Sequence, residues 1–291
     1  MRALIPLASI ALLGAAPPAK FVTPTDIVAS APASAWRVIP PEYLLIIDFK
    51  SGARAVIQLA PEFAPVHVAN IRKLARAGWW DGAAIYRVQD NYVVQWGHND
   101  DRPLPPGIVA KPPAEYDRPL TGLPLRPFPW RDSYAPRTGY ALGWPVAVDR
   151  NRANLTHCYG MVGVGRDLSP DTGTGGELYA VIGQAPRHLD RNIAIVGRVI
   201  AGIDTMSSLP RGTEALGFYK ERASDVPIKS GRLAADMAPA ERPAFEAMDT
   251  ASPAFAAYLH ARANRRDDFF IRPAGGVDLC NAPVPVRPVK R

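Results

Sequence analysis

Ile85-Tyr86-Arg87-Val88-Gln89-Asp90-Asn91-Tyr92-Val93-Val94-Gln95-Trp96-Gly97 reads as two short strands around an Asp-Asn turn. β-Branched and aromatic residues flank a dipeptide that favours turns. A plain half-buried hairpin would keep one face uniformly polar. Arg87, Tyr92 and Gln95 break that pattern. A fixed cation beside an aromatic ring and an amide is suited to gripping a peptide group, because the guanidinium stays charged and presents several donors in a rigid fork.

Regular elements lie on the N-terminal side of this stretch. Tyr43-Leu44-Leu45-Ile46-Ile47-Asp48-Phe49 predicts a buried strand, Lys50-Ser51-Gly52 a turn, and Ala53 to Leu59 a returning partner. A helix is predicted next. Pro65 suits its first turn, Val68, Ile71, Leu74 and Ala75 share one face, and Gly78 stops it. On the C-terminal side, residues 98–153 mix prolines, aromatics and charges without a steady period, and predict a long irregular insertion. Regularity returns at Gly160 to Gly165. Further strands are predicted at Glu177 to Ile182, Ile193 to Val199 and Val226 to Leu233, with a short helix over Ile203 to Leu209. Ser252-Pro253 predicts the start of a helix carrying Phe255, Tyr258 and Leu259. Many short strands with few helices fit a closed, mainly β barrel plugged by helices better than alternating βαβ units.

Composition narrows the function. Apolar residues make up 47% and charged residues 21% of 291, which fits a globular chain rather than a disordered one. The net charge is +7, but the basic residues are scattered. The densest group, Arg262, Arg265 and Arg266, runs straight into Asp267 and Asp268. This reads as a solvated surface, so no nucleic-acid partner is expected. Met1-Arg2 followed by the apolar run to Leu13 reads as a secretory signal over 1–19, too short to span a bilayer. Export to the periplasm or the medium is therefore expected, with no stable membrane insertion. The expected organisation continues with a Pro/Ala-rich linker over 20–41, the barrel over 42–237 and a C-terminal extension over 238–291. Cys158 and Cys280 would be free thiols in a reducing compartment. An oxidising one would allow a bridge, and the sequence leaves both open.

Taken in order, these segments resemble the cyclophilin-type peptidyl-prolyl cis-trans isomerases. The resemblance runs from about Tyr43 to about Leu233, broken by 98–153. It rests on the first hairpin, Ala64-Pro65 with Val68-Ala69-Asn70, Tyr86-Arg87-Val88 through Gln95 and Gly97, Gly160 to Gly165, Thr172 to Tyr179, Leu189-Asp190, and Val196-Gly197-Arg198-Val199. It implies an eight-stranded antiparallel barrel with a helix over each end. By the same resemblance Arg87 takes the catalytic arginine position and Gln95 the substrate-binding glutamine position. Tyr92, Val93, Tyr179 and Leu189 fall on the wall of a proline pocket, with His188 beside them, and Gly165 falls on its rim. The chain departs from the pattern at several positions. His188 stands for a tryptophan, Ile193 for a histidine, Tyr92 and Tyr179 for phenylalanines, Glu177 for a glutamine, Trp96 for a glycine and Arg166 for an asparagine.

The chemistry implied needs no covalent step and no cofactor. An amide resists rotation with a barrier of about 18 to 20 kcal/mol. At X-Pro bonds both isomers matter and exchange slowly. A catalyst need only bind the twisted amide better than either planar form. Proline-containing peptides and unfolded client proteins are the partners expected, with folding of exported proteins as the role. The alternative is a proline-peptide-binding scaffold with little turnover, which the altered wall at His188 and Ile193 favours. The five histidines show no metal-ligand spacing. No Gly-x-Ser-x-Gly elbow is present, and the glycines from Gly160 to Gly176 are not placed to open a dinucleotide-binding helix.

Overall fold

Eight strands close into an antiparallel barrel. In order around it they are Met161–Val164, Leu178–Val181, Val93–Gly97, Ala84–Val88, Val226–Leu233, Leu44–Phe49, Arg54–Leu59 and Ile195–Ala201. The last pairs back onto the first. This is a computed structural model that describes residues 21–98, 100 and 102–289. The expected leader at 1–19 lies outside the described residues.

The barrel interior is filled by alternate strand residues, including Leu45, Ile47, Ile57, Ile85, Val94, Trp96, Leu178, Ala180 and Val196. The helix Pro65–Arg76 closes one mouth and buries Val68, Ile71 and Leu74 in that core, as its periodicity predicts. Met206 of the short helix Ile203–Ser207 also enters it. Trp96, one of the departures from the resembled pattern, points into this core and is fully buried. No helix among the described residues is long and apolar enough to cross a membrane.

Two expectations need correction. Residues 98–153 are not irregular throughout. Together with Asn154 and Leu155 they form a five-stranded antiparallel sheet in the order Arg118–Pro119, Arg152–Leu155, Trp144–Asp149, Arg137–Ala141, Leu125–Pro127. Its faces are both covered. Trp144, Val146 and Val148 pack with Phe63, Met161 and Ile195 of the barrel region, while Phe128 and Tyr140 pack with Phe255, Tyr258 and Leu279. Burial on both sides removes the polar alternation that would have marked these strands.

Residues 21–41 are likewise not a plain linker. Pro24–Ser30 is a helix whose Thr23 and Asp26 form a reciprocal capping box. Trp36–Val38 pairs with Phe245–Met248, which pairs with Val286–Pro288. Trp36–Val38 is too short to show a period, and its partner lies more than two hundred residues away. The helix Pro253–Ala263 starts at Ser252 as expected, whose side chain accepts from the Phe255 N–H. Cys158 and Cys280 form a disulfide across a separation of 122 residues.

Candidate active site

Strand periodicity places the site on the outer wall of the barrel. Along Val93–Gly97, Val94 and Trp96 face the core, so Val93 and Gln95 face out. Along Leu178–Val181, Leu178 and Ala180 face in, so Tyr179 and Val181 face out. The Arg87 strand departs from this alternation. Its pairing with Val93–Gly97 shifts register between Ile85 and Arg87, so Ile85 and Val88 reach the core. Tyr86 and Arg87 both turn to the site, which is the work of a bulge.

Arg87 lies opposite Gln95. Its Nη1 donates to Gln95 Oε1 at 3.0 Å, Nη2 to Gln89 Oε1 at 2.6 Å and Nε to the Leu216 carbonyl at 2.7 Å. Three of the five guanidinium N–H groups are thereby used. The cation also sits 5.5 Å from the centroid of Phe218. Leu216 reaches Arg87 from a left-handed backbone, φ 57°, which a leucine seldom adopts. Asp90 does not pair with Arg87. It pairs with Arg211 at 2.9 Å.

The remainder of the relay is polar. Gln95 Nε2 donates to the Tyr86 hydroxyl at 2.6 Å, and that hydroxyl donates to Glu177 Oε2 at 2.6 Å. Glu177 Oε1 accepts the His98 backbone N–H at 2.8 Å. Burial pushes the Arg87 guanidinium down from its ordinary value, against the pull of Tyr92, Tyr86 and Tyr179. Burial pushes the Tyr86 hydroxyl well up, and the Glu177 charge adds to it. Tyr86 therefore keeps its proton and remains a donor.

Beside this pair lies a small apolar cluster separate from the barrel core. Val93, Tyr179 and Val181 form it, with Tyr92 and Ile193 packed against them. The Tyr92 ring is stacked on His188 with centroids 6.2 Å apart. Gly165 lies against Gln95; a Cβ there would come within 3.3 Å of Gln95 Nε2. Tyr179 lies across Gly163, where any side chain would collide with its ring. Arg87, Gln95, Tyr92, Val93, Tyr179, Gly165 and His188 are thus brought together. Leu189 sits half-buried on the turn that carries His188, outside the apolar cluster.

Several residues at this site carried no separate signal in the sequence. Tyr86 was visible only as a neighbour of Arg87. Leu216 and Phe218 come from a segment some 130 positions away in the chain. A buried ionic chain also supports the wall. Tyr179 Oη lies 2.8 Å from His157 Nε2, and His157 Nδ1 lies 2.9 Å from Asp190 Oδ1. A carboxylate only accepts, so His157 Nδ1 carries a proton and donates to Asp190. Asp190 is paired in turn with Arg187 at 2.5 Å, and Arg187 with Asp132 of the insertion at 2.8 Å.

A closed eight-stranded barrel with an arginine–glutamine pair beside an apolar cluster on its outer wall defines a protein of the cyclophilin class. The family model for cyclophilin type peptidyl-prolyl cis-trans isomerase/CLD matches residues 45–232. The chain belongs to this family and is a peptidyl-prolyl cis-trans isomerase. It is 25% identical over 179 residues to a probable peptidyl-prolyl cis-trans isomerase of Brucella suis, covering 60% of this chain and 75% of that one. Peptidyl-prolyl cis-trans isomerase B of Bacillus subtilis is 25% identical over 173 residues, covering 58% and 90%. Among solved structures, cyclophilin AquaCyp293 from Hirschia baltica is similar with a TM-score of 0.69 and 26% identity, covering 91% of this chain and 96% of that one. That likeness extends well beyond the barrel.

Proposed function

We propose that Arg87 accelerates X-Pro isomerisation by stabilising the twisted amide, and that the protein does so for exported clients. When the amide twists, the prolyl nitrogen becomes pyramidal and regains its lone pair. A guanidinium can then donate to it, and does so more strongly in a partly dry cleft than in water. The observation that carries this reading is how the Arg87 donors are allotted. Gln95, Gln89 and Leu216 hold three N–H groups and fix the fork, which leaves two for a substrate. The partly exposed Tyr92 and Ile193, packed on the buried Val93, Tyr179 and Val181 cluster, offer an apolar seat for the proline ring while the preceding residue swings. Gly165 lets Gln95 and Glu177 pack directly against its backbone.

Two features support an exported role. One is the apolar leader read in the sequence. The other is the paired state of Cys158 and Cys280, which an oxidising compartment sustains.

The test is a coupled isomerisation assay on short X-Pro peptides. Arg87→Ala is expected to lower kcat/KM by about 100-fold, the usual effect of losing a preorganised donor to a developing lone pair. Arg87→Lys is expected to recover little of it, because an ammonium keeps the charge but not the fork. No acceleration by well-folded wild-type protein, with X-Pro peptide binding retained, would replace this reading with the scaffold alternative.

A further inference from the structure

A cavity lies away from Arg87. It forms where the helix Pro24–Ser30, the barrel strand Ile195–Ala201, the helix Pro253–Ala263 and the tail around Cys280 meet. Its volume is about 490 Å³, within the range of small-molecule sites. Val28, Met161, Val199 and Leu279 are among its apolar walls. Among the described residues, Arg198 and Arg262 are the only charged side chains lining it, with no aspartate or glutamate.

Arg198 is only 8% exposed. Its Nε and Nη2 donate to Gln58 Oε1 at 3.0 and 2.8 Å, and its Nη1 to the Gly143 carbonyl at 3.0 Å. Its guanidinium lies 4.6 Å from the centroid of Trp144. All these partners are neutral. Burial pushes this guanidinium down to about 10, the direction expected when no carboxylate answers the charge. Arg262 likewise donates to a neutral group, the Asn281 carbonyl. Burying a cation without a counter-charge is costly. Here two cations border an apolar space that is large enough for a ligand and is lined by no acid among the described residues.

We propose that this cavity binds a small carboxylate with an apolar body, the carboxylate held by Arg198 and Arg262 and the body laid against the apolar walls. A planar carboxylate matches the guanidinium fork. Such a group occurs on a free aliphatic acid and at the free C-terminus of an apolar peptide, and the two sources can be told apart.

Calorimetric titration of the full, oxidised chain would use octanoate, octanol, and a short apolar peptide as its free acid and its amide. One-to-one binding of octanoate or of the free-acid peptide is expected, with octanol and the amide at least tenfold weaker. Whichever acid binds identifies the source. Arg262→Gln is expected to weaken binding at least tenfold, and Val28→Trp to abolish it by filling the space. Both lie outside the barrel, so folding is checked by circular dichroism and Arg198 need not be removed. Arg87→Ala should leave this binding unchanged. The proposal is overturned if neither acid binds, if octanol or the amide binds as well as its acid, if both cavity variants bind like wild type, or if Arg87→Ala removes binding.

Discussion

Tyr86 occupies the bulge of the Arg87 strand, and its hydroxyl both accepts from Gln95 and donates to Glu177. That double role fixes which way the Gln95 amide faces, and so which of its atoms meets Arg87. Tyr86→Phe keeps the ring, stacked on Phe218 at 5.9 Å, and removes only the hydroxyl. Gln95 then loses its acceptor and is free to turn. A lost hydrogen bond of about 1 to 1.5 kcal/mol corresponds to roughly a tenfold fall in kcat/KM. The measurement is the X-Pro assay beside a thermal melt. An unchanged kcat/KM would show that Gln95 needs no such anchor. Arg87 and Gln95 were legible in the sequence because they interrupt an apolar strand pattern. Tyr86 was not, because a bulge leaves no residue signature and the tyrosine looked like an ordinary strand aromatic. Phe218 was hidden for a different reason: its contact with Arg87 is long-range, and local periodicity carries no information about it.

The barrel helix Pro65–Arg76 was readable from its own apolar face, but its N-terminal anchor was not. Ala64 provides no side-chain cap. Glu115, from the insertion, accepts the N–H groups of Val66 at 2.9 Å and His67 at 3.0 Å, and its Oε2 lies 2.7 Å from His67 Nδ1. It acts as a borrowed cap, with its charge at the favourable end of the helix dipole. Burial pushes the Glu115 carboxyl up, but the hydrogen bonds from the His67 ring and the two backbone N–H groups outweigh it and leave it below its ordinary value. A carboxyl lowered in the folded state stabilises the fold above its unfolded value and loses that contribution as pH falls through its folded value. Glu115→Gln is therefore expected to cost about 1 kcal/mol at neutral pH, and progressively less as the solution is acidified below the ordinary carboxylate range. Urea unfolding of both proteins across that window checks it. A difference that grows on acidification would refute the assignment. The strands of the inserted sheet were missed for a related reason. Trp144–Asp149 is buried at five successive positions and contains Pro145, so neither alternation nor freedom from proline marked it as a strand.

At the scale of the whole molecule, the parts outside the barrel form one layer laid against it. The segment around Trp36, the insertion and the segment from Met248 to Val284 share a single apolar cluster, in which Trp36, Phe128, Tyr140, Met248, Phe255 and Leu279 pack together. The barrel could be inferred from an ordered series of local motifs, whereas this layer could not, because its contacts join segments that are remote in sequence. The Cys158–Cys280 bond ties the layer to the barrel, linking the approach to the strand Met161–Val164 with the C-terminal tail. A closed loop of 122 residues restricts the unfolded chain by about 4 to 5 kcal/mol in the chain-entropy model. The bond is embedded in apolar packing, with Cys158 in the same cluster as Trp144, Leu155 and Met161. A Cys158→Ala, Cys280→Ala double variant is therefore expected to remain folded and active on X-Pro peptides at 25 °C. Its denaturant midpoint should fall well below that of the oxidised wild type, and reductant should lower the wild type to match it. Equal midpoints for oxidised and reduced protein would mean that packing alone holds the layer, and would remove one of the two supports for an exported role.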